Sequence, residues 1–322
     1  MEKEDLRIIF MGTPEFAVGT LRELVENHYN VVAVVTQPDK PVGRHGSVLR
    51  ASAVKEYAMS VGIPVLQPEK MKDPTFLTQL ESFHADLQVV VAFRMLPEVV
   101  WAMPRFGTFN VHAALLPQYR GAAPINWAII NGEDKTGVTT FFLDQEIDTG
   151  RIILQKEFPI PEDADVEYVY DGLMCLGAQI AIETIQRIIE GNGHVESIPQ
   201  DRLILPNIEK LHVAPKIYNE TCNINWNQPA NSIYNFIRGL SPIPTAWFQL
   251  DIKGKSPITM KVFKSKKTGM SCSSSEPGSI KIEKGHLYIA SSDEWLELTD
   301  IQMAGKKRMS AKDFLNGFHV FN

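Results

Sequence analysis

The chain opens, at residues 6–35, with LRIIFMGTPEFAVGTLRELVENHYNVVAVV. The apolar run Leu6–Met11 ends at Gly-Thr-Pro, which predicts a buried strand followed by a turn. Apolar residues at helical spacing cover Phe16–Asn27, and a second apolar run covers Val31–Val35. These three segments predict a β-α-β unit with a right-handed crossover.

Later apolar runs continue this pattern. They lie at Leu87–Phe93, Phe109–Ala113 and Val138–Leu143, and Gly, Pro and Asp residues bound them. Strands that are apolar along their whole length are typical of a parallel sheet with helices on both faces. Residues Val166–Glu190 predict a long amphipathic helix that closes the unit. The N-terminal part is therefore predicted to be a doubly wound, mostly parallel, Rossmann-like α/β domain.

The composition changes after the long helix. Residues 191–211 are rich in Gly, Pro and Asn and have no strong periodicity, which indicates an interdomain linker. Short β-prone segments separated by Gly, Ser and Lys follow between residues 246 and 290, and this spacing predicts a small β-barrel. We therefore predict two domains, residues 1–208 and residues 209–322.

Composition is that of a soluble globular protein, since 44% of the 322 residues are hydrophobic and 22% are charged. No apolar run approaches the ~20 residues of a membrane span, and the polar, acidic start fits neither a secretory signal nor a transit peptide. The three cysteines, Cys175, Cys222 and Cys272, are scattered and form no metal-binding or redox pair. We expect a reducing, cytoplasmic location.

Charge is distributed unevenly along the chain. Residues 1–209 contain 17 basic and 29 acidic residues, whereas residues 210–322 contain 15 basic and 9 acidic residues. The net charge of −6 thus divides into −12 and +6. A basic C-terminal half indicates contact with a polyanion such as a nucleic acid, and a solvated cationic surface is the open alternative.

Nucleotide-binding motifs are absent from the sequence. The turn after the first strand reads MGTPE at Met11–Glu15 rather than G-x-G-x-x-G, and no G-x-x-x-x-G-K-S/T phosphate loop occurs. Polar residues concentrate instead in NVHAALLPQYRGAAPINWA, at 110–128. Asn110 and His112 are two apart on a predicted strand, so their side chains share one face of the sheet. Open α/β sheets bind ligands at the carboxyl ends of such strands.

A third polar residue, Asp148, lies in DQEIDTG between two apolar runs. An Asp before Thr-Gly is also a common turn former, so its functional weight comes from its partnership with Asn110 and His112. An amide and an imidazolium can donate hydrogen bonds to an oxygen that gains negative charge, and a carboxylate can hold the imidazole charged. This set suits attack of an amine on a one-carbon carbonyl. Because no Ser or Cys nucleophile is obvious beside it, we expect direct transfer.

These residues resemble the folate-dependent formyltransferases. The similarity rests on residues 110–128, followed by TGVT at Thr136–Thr139 and by Asp148-Thr-Gly. Further segments extend it over nearly the whole chain and are similar to the branch of the family that formylates initiator tRNA: IIFMGTPEFA (Ile8–Ala17), TQPDKPVGR (Thr36–Arg44), SPIPTAW (Ser241–Trp247) and AGKKRMSAKDFLNG (Ala304–Gly317). The resemblance implies transfer of a formyl group, without a metal, from 10-formyltetrahydrofolate to the α-amine of methionyl initiator tRNA for translation initiation.

The resemblance also assigns catalytic roles. Asn110 and His112 are expected to stabilise the oxyanion that forms at the formyl carbon. Asp148 is expected to orient His112, to keep it protonated and to help take the proton that the amine loses.

The expected folate contacts lie directly after the catalytic strand. The family's Ser-Leu-Leu-Pro segment is matched here by Ala114, Leu115, Leu116 and Pro117. A methyl group thus replaces the serine side chain, and any contact through this position falls to the backbone. A second departure from the family pattern is Val91–Pro97, which we expect to border the folate pocket.

The resemblance further implies contacts with tRNA. Thr36–Ala53 corresponds to a loop that enters the acceptor stem, and Arg44 matches its key basic position. The Lys-rich continuation of some relatives is His-Gly-Ser here, which shifts phosphate contact to Arg44, Arg50 and an OB-like C-terminal domain. The candidate phosphate contacts in that domain are Lys261, Lys264, Lys266, Lys267, Lys306, Lys307 and Arg308.

Other proteins share the three catalytic residues. Glycinamide ribonucleotide formyltransferase activity is typical of a single-domain protein without a basic C-terminal unit, so the length of this chain disfavours it. The TQPDKPVGR loop and the basic C-terminal end disfavour sugar-amine formyltransferases and folate hydrolases. An idle tRNA-binding module is disfavoured because Asn110, His112 and Asp148 are all retained. We expect a bacterial-type cytoplasmic enzyme, monomeric and without a membrane partner.

Overall fold

Each part of the predicted β-α-β opening is present in the structure, a computed structural model that describes residues 1–42, 48–204, 210–251 and 256–317. Strand β1 is Ile8–Gly12, helix α1 is Glu15–Glu26 and strand β2 is Val31–Val35. All residues of β1 are buried, and α1 buries Phe16 and Leu21. The opening apolar run therefore forms a strand inside the core, as its composition predicts.

The remaining elements follow in chain order. The helices are α2 (Ala53–Ser60), α3 (Pro74–Ser82), α4 (Glu98–Trp101), α5 (Pro124–Ile130), α6 (Val166–Glu190), α7 (Ala230–Leu240) and α8 (Ala311–Gly317). The strands are β3 (Lys40–Val42), β4 (Val48–Arg50), β5 (Val65–Leu66), β6 (Leu87–Val91), β7 (Thr108–His112), β8 (Arg120–Gly121), β9 (Lys135–Phe142), β10 (Ile152–Pro159), β11 (Val213–Ala214), β12 (Ala246–Leu250), β13 (Ile258–Ser271), β14 (Ile280–Glu283), β15 (His286–Ala290), β16 (Glu294–Met303) and β17 (Met309–Ser310). Short 3-10 helices cover Gln200–Leu203 and Asn219–Cys222.

The N-terminal sheet has the strand order β10-β9-β7-β6-β1-β2-β5. Neighbours from β5 to β7 are parallel, whereas β9 is antiparallel to β7. The chain builds outward from β1 through β2 to β5 and then returns to place β6 on the other side of β1. The carboxyl ends of the strands at such a reversal of direction are where open α/β sheets bind ligands.

Helix α6 has 25 residues and is, within the described part of the chain, the one helix long and apolar enough to cross a membrane by length and composition. Its most apolar stretch is 44% buried inside the protein. Leu173, Ile180 and Ile185 are fully buried, so packing in the core accounts for much of this apolarity.

By its internal contacts the chain divides into two compact units. Unit 1 comprises Met1–Gly121, Thr136–Phe158 and Tyr170–Val213, and unit 2 comprises Ala122–Lys135, Pro159–Val169 and Ala214–Asn322. The boundary predicted between residues 208 and 209 lies outside the described residues.

Unit 2 contains a six-stranded antiparallel sheet in the order β12-β13-β16-β15-β14, with β17 paired to β16. Its core includes Ile237 and Leu240 of α7 and Phe314 of α8, packed against the inner face of the sheet. Helix α5 belongs to this unit, and the Asn126 side chain donates a hydrogen bond to the Gly239 carbonyl at 2.9 Å. The expected fold class, a mostly parallel sheet plus a smaller β domain, is confirmed.

Candidate active site

Asn110 and His112 lie at the carboxyl end of β7, between parallel β6 and antiparallel β9. The two-residue spacing turns both side chains to one side of the sheet. The Oδ1 atom of Asn110 is buried and has no hydrogen-bond partner among the described residues. A buried amide oxygen without a partner is costly, on the order of 1–3 kcal/mol, so its position suits a site that receives a polar ligand.

The ring of His112 is held from two directions. Only 6% of the residue is exposed, and its ring meets the ring of Phe141 edge-on, with centroids 6.4 Å apart. Nε2 lies 2.9 Å from the carbonyl oxygen of Tyr119. Because a carbonyl oxygen can only accept, Nε2 carries a proton in this arrangement. Nδ1 is therefore the nitrogen that remains for chemistry.

The third catalytic candidate, Asp148, faces that nitrogen. Its Oδ2 atom lies 3.9 Å from Nδ1 of His112, and its side chain is 13% exposed. The same oxygen accepts a hydrogen bond from the Gly121 amide at 2.9 Å. Asp148 has a positive φ of 56°, a left-handed conformation that Asp tolerates better than most residues. The structure thus brings the three predicted catalytic residues together in unit 1.

Gln200 is a buried residue of this site that the sequence analysis missed. Its Nε2 donates to the carbonyl oxygens of Asp148 and Gly150 at 2.8 and 2.9 Å. Its Oε1 accepts from Nε and Nη2 of Arg120 at 3.0 and 2.6 Å. The segment that carries it was predicted as a linker, yet Gln200 is only 3% exposed and Ile198 pairs with Ile152. The absence of periodicity, which suggested a linker, could not reveal these contacts.

The predicted folate segment is anchored by polar side chains of the neighbouring strands. The hydroxyl of Thr139 donates to the Ala114 carbonyl at 2.6 Å and accepts from the Leu116 amide at 3.1 Å. The Leu116 carbonyl accepts from Nε2 of Gln155 at 2.7 Å. Ala114, Leu116 and Pro117 are buried, whereas Leu115 is partly exposed. Folate contact through this segment therefore remains a prediction, with Leu115 as its most accessible residue.

In Val91–Pro97, which departs from the family pattern, the guanidinium of Arg94 contacts backbone carbonyls of a neighbouring segment. Arg94 donates through Nη1 to the Glu69 carbonyl at 3.0 Å and through Nη2 to the Pro68 carbonyl. Its guanidinium lies 5.7 Å from the centroid of the Phe93 ring. Burial lowers the pKa of Arg94. The side chain therefore serves to fix the segment 68–69 beside this strand end.

The predicted tRNA loop contains the hairpin β3–β4, in which Lys40 pairs with Arg50. Arg50 is exposed, and Arg44 lies outside the described residues. The loop is closed at its base by the hydroxyls of Thr36 and Ser52, 2.7 Å apart.

Asp39, on the way into the hairpin, is fixed by two side chains of unit 1. It accepts from Nζ of Lys55 at 2.7 Å and from Nε2 of Gln67 at 2.8 Å. These hydrogen bonds lower the pKa of the Asp39 carboxyl. A polar cluster thus holds the start of the predicted tRNA loop.

The basic candidates of unit 2 fall into two groups. Lys267 and Arg308 are engaged within the unit: Lys267 contacts Glu162 at 2.8 Å, and Nε of Arg308 donates to Asp300 at 2.9 Å. The hydrogen bond from Lys267 lowers the pKa of Glu162. Lys264 and Lys266 are exposed on β13 and have no ion pair within the described ranges. The other candidates are partly exposed Lys261 and exposed Lys306 and Lys307.

No group of three or more His, Cys, Asp or Glu side chains that could hold a metal ion occurs in the described part of the chain.

Comparison with known structures identifies the fold. HypX from Aquifex aeolicus in complex with tetrahydrofolic acid superposes with a TM-score of 0.62 at 18% identity, over 96% of this chain and 47% of that one. An N-formyltransferase from Helicobacter canadensis, in complex with folinic acid and dTDP-3-aminofucose, gives a TM-score of 0.63 at 22% identity, over 94% of this chain and 100% of that one. At these identities the likeness establishes the fold.

Sequence comparison establishes the family. The family described as Formyl transferase matches residues 6–185, and that described as Formyl transferase, C-terminal domain, matches residues 216–319. Methionyl-tRNA formyltransferase of Parabacteroides distasonis is 56% identical over 319 residues, 99% of this chain and 97% of its own. The protein of that name from Bacteroides fragilis is 53% identical over 321 residues, 99% of this chain and 97% of its own. With both parts of the fold matched in this way, the chain belongs to the formyltransferase family, alongside the methionyl-tRNA formyltransferases of these bacteria.

Proposed function

We propose that this protein transfers the formyl group of 10-formyltetrahydrofolate to the α-amino group of methionyl initiator tRNA, giving formylmethionyl-tRNA for translation initiation. The observation that carries the proposal is the meeting of Asn110, His112 and Asp148 at the carboxyl end of β7. The near full-length similarity to methionyl-tRNA formyltransferases supports this substrate.

The reaction replaces one C–N bond by another. The formyl donor supplies an electrophilic carbonyl carbon, and the substrate amine attacks it. The carbonyl oxygen gains negative charge and becomes a carbonyl again as the bond to the folate nitrogen breaks. The amine loses a proton and the departing folate nitrogen gains one. The site must therefore provide hydrogen-bond donors for the oxygen and an acceptor for the proton.

Asn110 and His112 are suited to the first task. The Asn110 amide can donate two hydrogen bonds through Nδ2. Nε2 of His112 is committed to the Tyr119 carbonyl, so the imidazolium donates to the oxyanion through Nδ1. Donors fixed by the surrounding protein need no reorganisation when the charge develops, which is the main source of oxyanion stabilisation.

Asp148 is suited to the second task. Its carboxylate faces Nδ1 of His112, so its negative charge can orient a protonated ring. At 3.9 Å the two atoms are too far apart for a direct hydrogen bond, so the formyl oxygen can approach Nδ1 while the amine approaches Oδ2. The hydrogen bond from Gly121 fixes the carboxylate while it receives the proton.

The folate segment and the basic residues complete the proposal. The partly exposed Leu115 and the buried neighbours that fix it would hold the pterin, with no contribution from the methyl group of Ala114 beyond packing. Arg44, Arg50 and the exposed lysines of unit 2 would contact tRNA phosphates, which bind basic side chains independently of sequence. We infer that residues 1–208 catalyse and residues 209–322 bind tRNA, in a monomeric cytoplasmic protein without a membrane partner.

One assay tests the function. The purified protein is given 10-formyltetrahydrofolate labelled in the formyl group, together with charged initiator tRNA or with a nucleotide-linked amino sugar. Transfer of label to methionyl-tRNA alone is expected. Transfer to the amino sugar with none to the charged tRNA would reject this function in favour of a sugar-amine formyltransferase.

A further inference from the structure

We propose that Gln200 is a positioning residue for formyl transfer, acting through Asp148. This inference rests on the proposed function, in which Asp148 accepts the proton from the attacking amine. Gln200 itself lies in the 3-10 helix after α6, 52 residues along the chain from Asp148, and is not among the predicted site residues.

The side-chain amide of Gln200 is fully used. A Gln side chain has two N–H donors and one oxygen with two lone pairs. Here the donors bind the carbonyls of Asp148 and Gly150, and the oxygen accepts twice from Arg120. With 3% exposure, the amide also meets little competition from water. Such a saturated, buried amide fixes its partners more firmly than a surface contact does.

The contacts close a ring around the catalytic carboxylate. Gln200 binds the backbone of Asp148 on one side and the side chain of Arg120 on the other. Gly121, the next residue after Arg120, donates its amide hydrogen to Oδ2 of Asp148. The backbone and the carboxylate of Asp148 are thus both tied, through different bonds, to segments that Gln200 joins.

Asp148 has a backbone that requires such support. Its φ of 56° is uncommon for a residue other than Gly, and such a conformation persists when the surroundings determine it. A shift of the Asp148 carbonyl would rotate the peptide and move Oδ2 away from Nδ1 of His112. Since misplacement of a catalytic group by about 1 Å can cost on the order of 10²-fold in rate, Gln200 affects catalysis without touching substrate.

Two substitutions separate the halves of the contact. Gln200→Met keeps the length and removes all four hydrogen bonds. Gln200→Glu keeps an acceptor for Arg120 but replaces the donors by an oxygen that repels the carbonyls of Asp148 and Gly150. Ser197→Ala is the matched control, because Ser197 joins the same two chain segments through Nε of Arg151 at 2.9 Å without reaching Asp148.

The test measures kcat and KM for the full-length protein with methionyl initiator tRNA and 10-formyltetrahydrofolate. Both Gln200 variants are expected to lose about 10- to 100-fold in kcat with unchanged KM for tRNA, whereas Ser197→Ala keeps its rate. Gln200→Glu, which retains the Arg120 contact, keeps the test decisive if Gln200→Met fails to fold.

A double-mutant cycle separates positioning from general destabilisation. If Gln200 acts through Asp148, adding Gln200→Glu to Asp148→Asn should cost less than about threefold further, because the residue it positions is already disabled. If Gln200→Glu lowers kcat in the Asp148→Asn background as much as it does alone, the positioning role of Gln200 is wrong. Near-normal kcat in both Gln200 single variants would also overturn that role, and neither result would affect the proposed function. Near-normal turnover of Asp148→Asn by itself would overturn the proposed catalytic role of Asp148 as well, and that variant is measured separately.

Discussion

Nδ1 of His112 lies 3.9 Å from Oδ2 of Asp148, a separation that exceeds a direct hydrogen bond but keeps the two groups in electrostatic contact. A ligand atom placed beside this pair can be within about 2.8 Å of each, because hydrogen bonds of that length span the gap from one side. In the proposed reaction the two residues therefore act jointly, His112 on the formyl oxygen and Asp148 on the amine.

Replacement of Asp148 by Asn should abolish this joint action with little effect on folding. The Asn side chain can still accept from the Gly121 amide, but it carries no charge and cannot take a proton. We expect kcat to fall by ~10² or more, with a melting temperature close to that of the parent protein. Turnover near the parent rate, measured with charged initiator tRNA, would contradict the assignment.

Thr139 should control the affinity for the folate donor. Thr139→Val removes the hydroxyl that binds Ala114, Leu116 and Gln155, and leaves the buried Ala114 carbonyl and Leu116 amide without that partner. We expect a loss of about 1–3 kcal/mol in the free energy of unfolding and a several-fold higher KM for the donor.

The neighbouring Thr140 offers a matched control for that change. Its hydroxyl is 2.8 Å from that of Thr184, which also donates to the Ile180 carbonyl and so keeps a partner in Thr140→Val. This variant should lose about 1 kcal/mol of stability and leave the KM for the donor unchanged. Equal effects of both substitutions on KM would show that Thr139 acts only through stability.

Much of the fold, and the placement of two candidate catalytic residues, follows from local patterns. The runs at Val31–Val35 and Val166–Glu190 are a strand and a helix with the predicted bounds. The period of two in a strand is sufficient to place Asn110 and His112 on one side of the sheet. These features depend on residues close in sequence, which is why a single sequence reveals them.

The remaining features depend on contacts between distant segments. Residues 191–211 lack periodicity, which predicts a linker. Gln200 is nevertheless buried there by contacts with Asp148 and Arg120, which lie 52 and 80 residues earlier in the chain. The support of His112 comes from the backbone carbonyl of Tyr119, which no side-chain pattern encodes. The Ser-rich composition of Ser271–Ser275 alone predicts an exposed loop, yet Cys272 within it is 2% exposed, and its amide and thiol donate to the carbonyls of Asp293 and Ser291.

Gly150 should be intolerant of any side chain. A Cβ at this position would lie 1.6 Å from the carbonyl oxygen of Phe142, so the backbone that follows Asp148 must move. We expect Gly150→Ala to lose about 3 kcal/mol of stability by overpacking and to lose rate in the fraction that folds. Gly317→Ala is the control, since no atom of the described residues lies within 4 Å of its added Cβ. Thermal unfolding and an activity assay on both variants measure these losses. Equal stability of the two variants would contradict the steric role of Gly150.

Lys264 and Lys266 should contribute to tRNA affinity, whereas Lys267 should not. Lys264 and Lys266 are exposed and unpaired within the described residues, but Lys267 binds Glu162 and Asn231 of its own unit. Removal of one basic side chain that neutralises a phosphate should reduce the slope of log affinity against log salt concentration by about 0.7–0.9. Full-length Lys264→Gln/Lys266→Gln is therefore expected to bind methionyl-tRNA more weakly and with a shallower slope, and Lys267→Gln to keep the parent slope.

Removal of the whole C-terminal part is a poorer test, because it would also expose the core that α5 shares with α7. Identical slopes for the double variant and the parent protein would assign phosphate recognition to other residues.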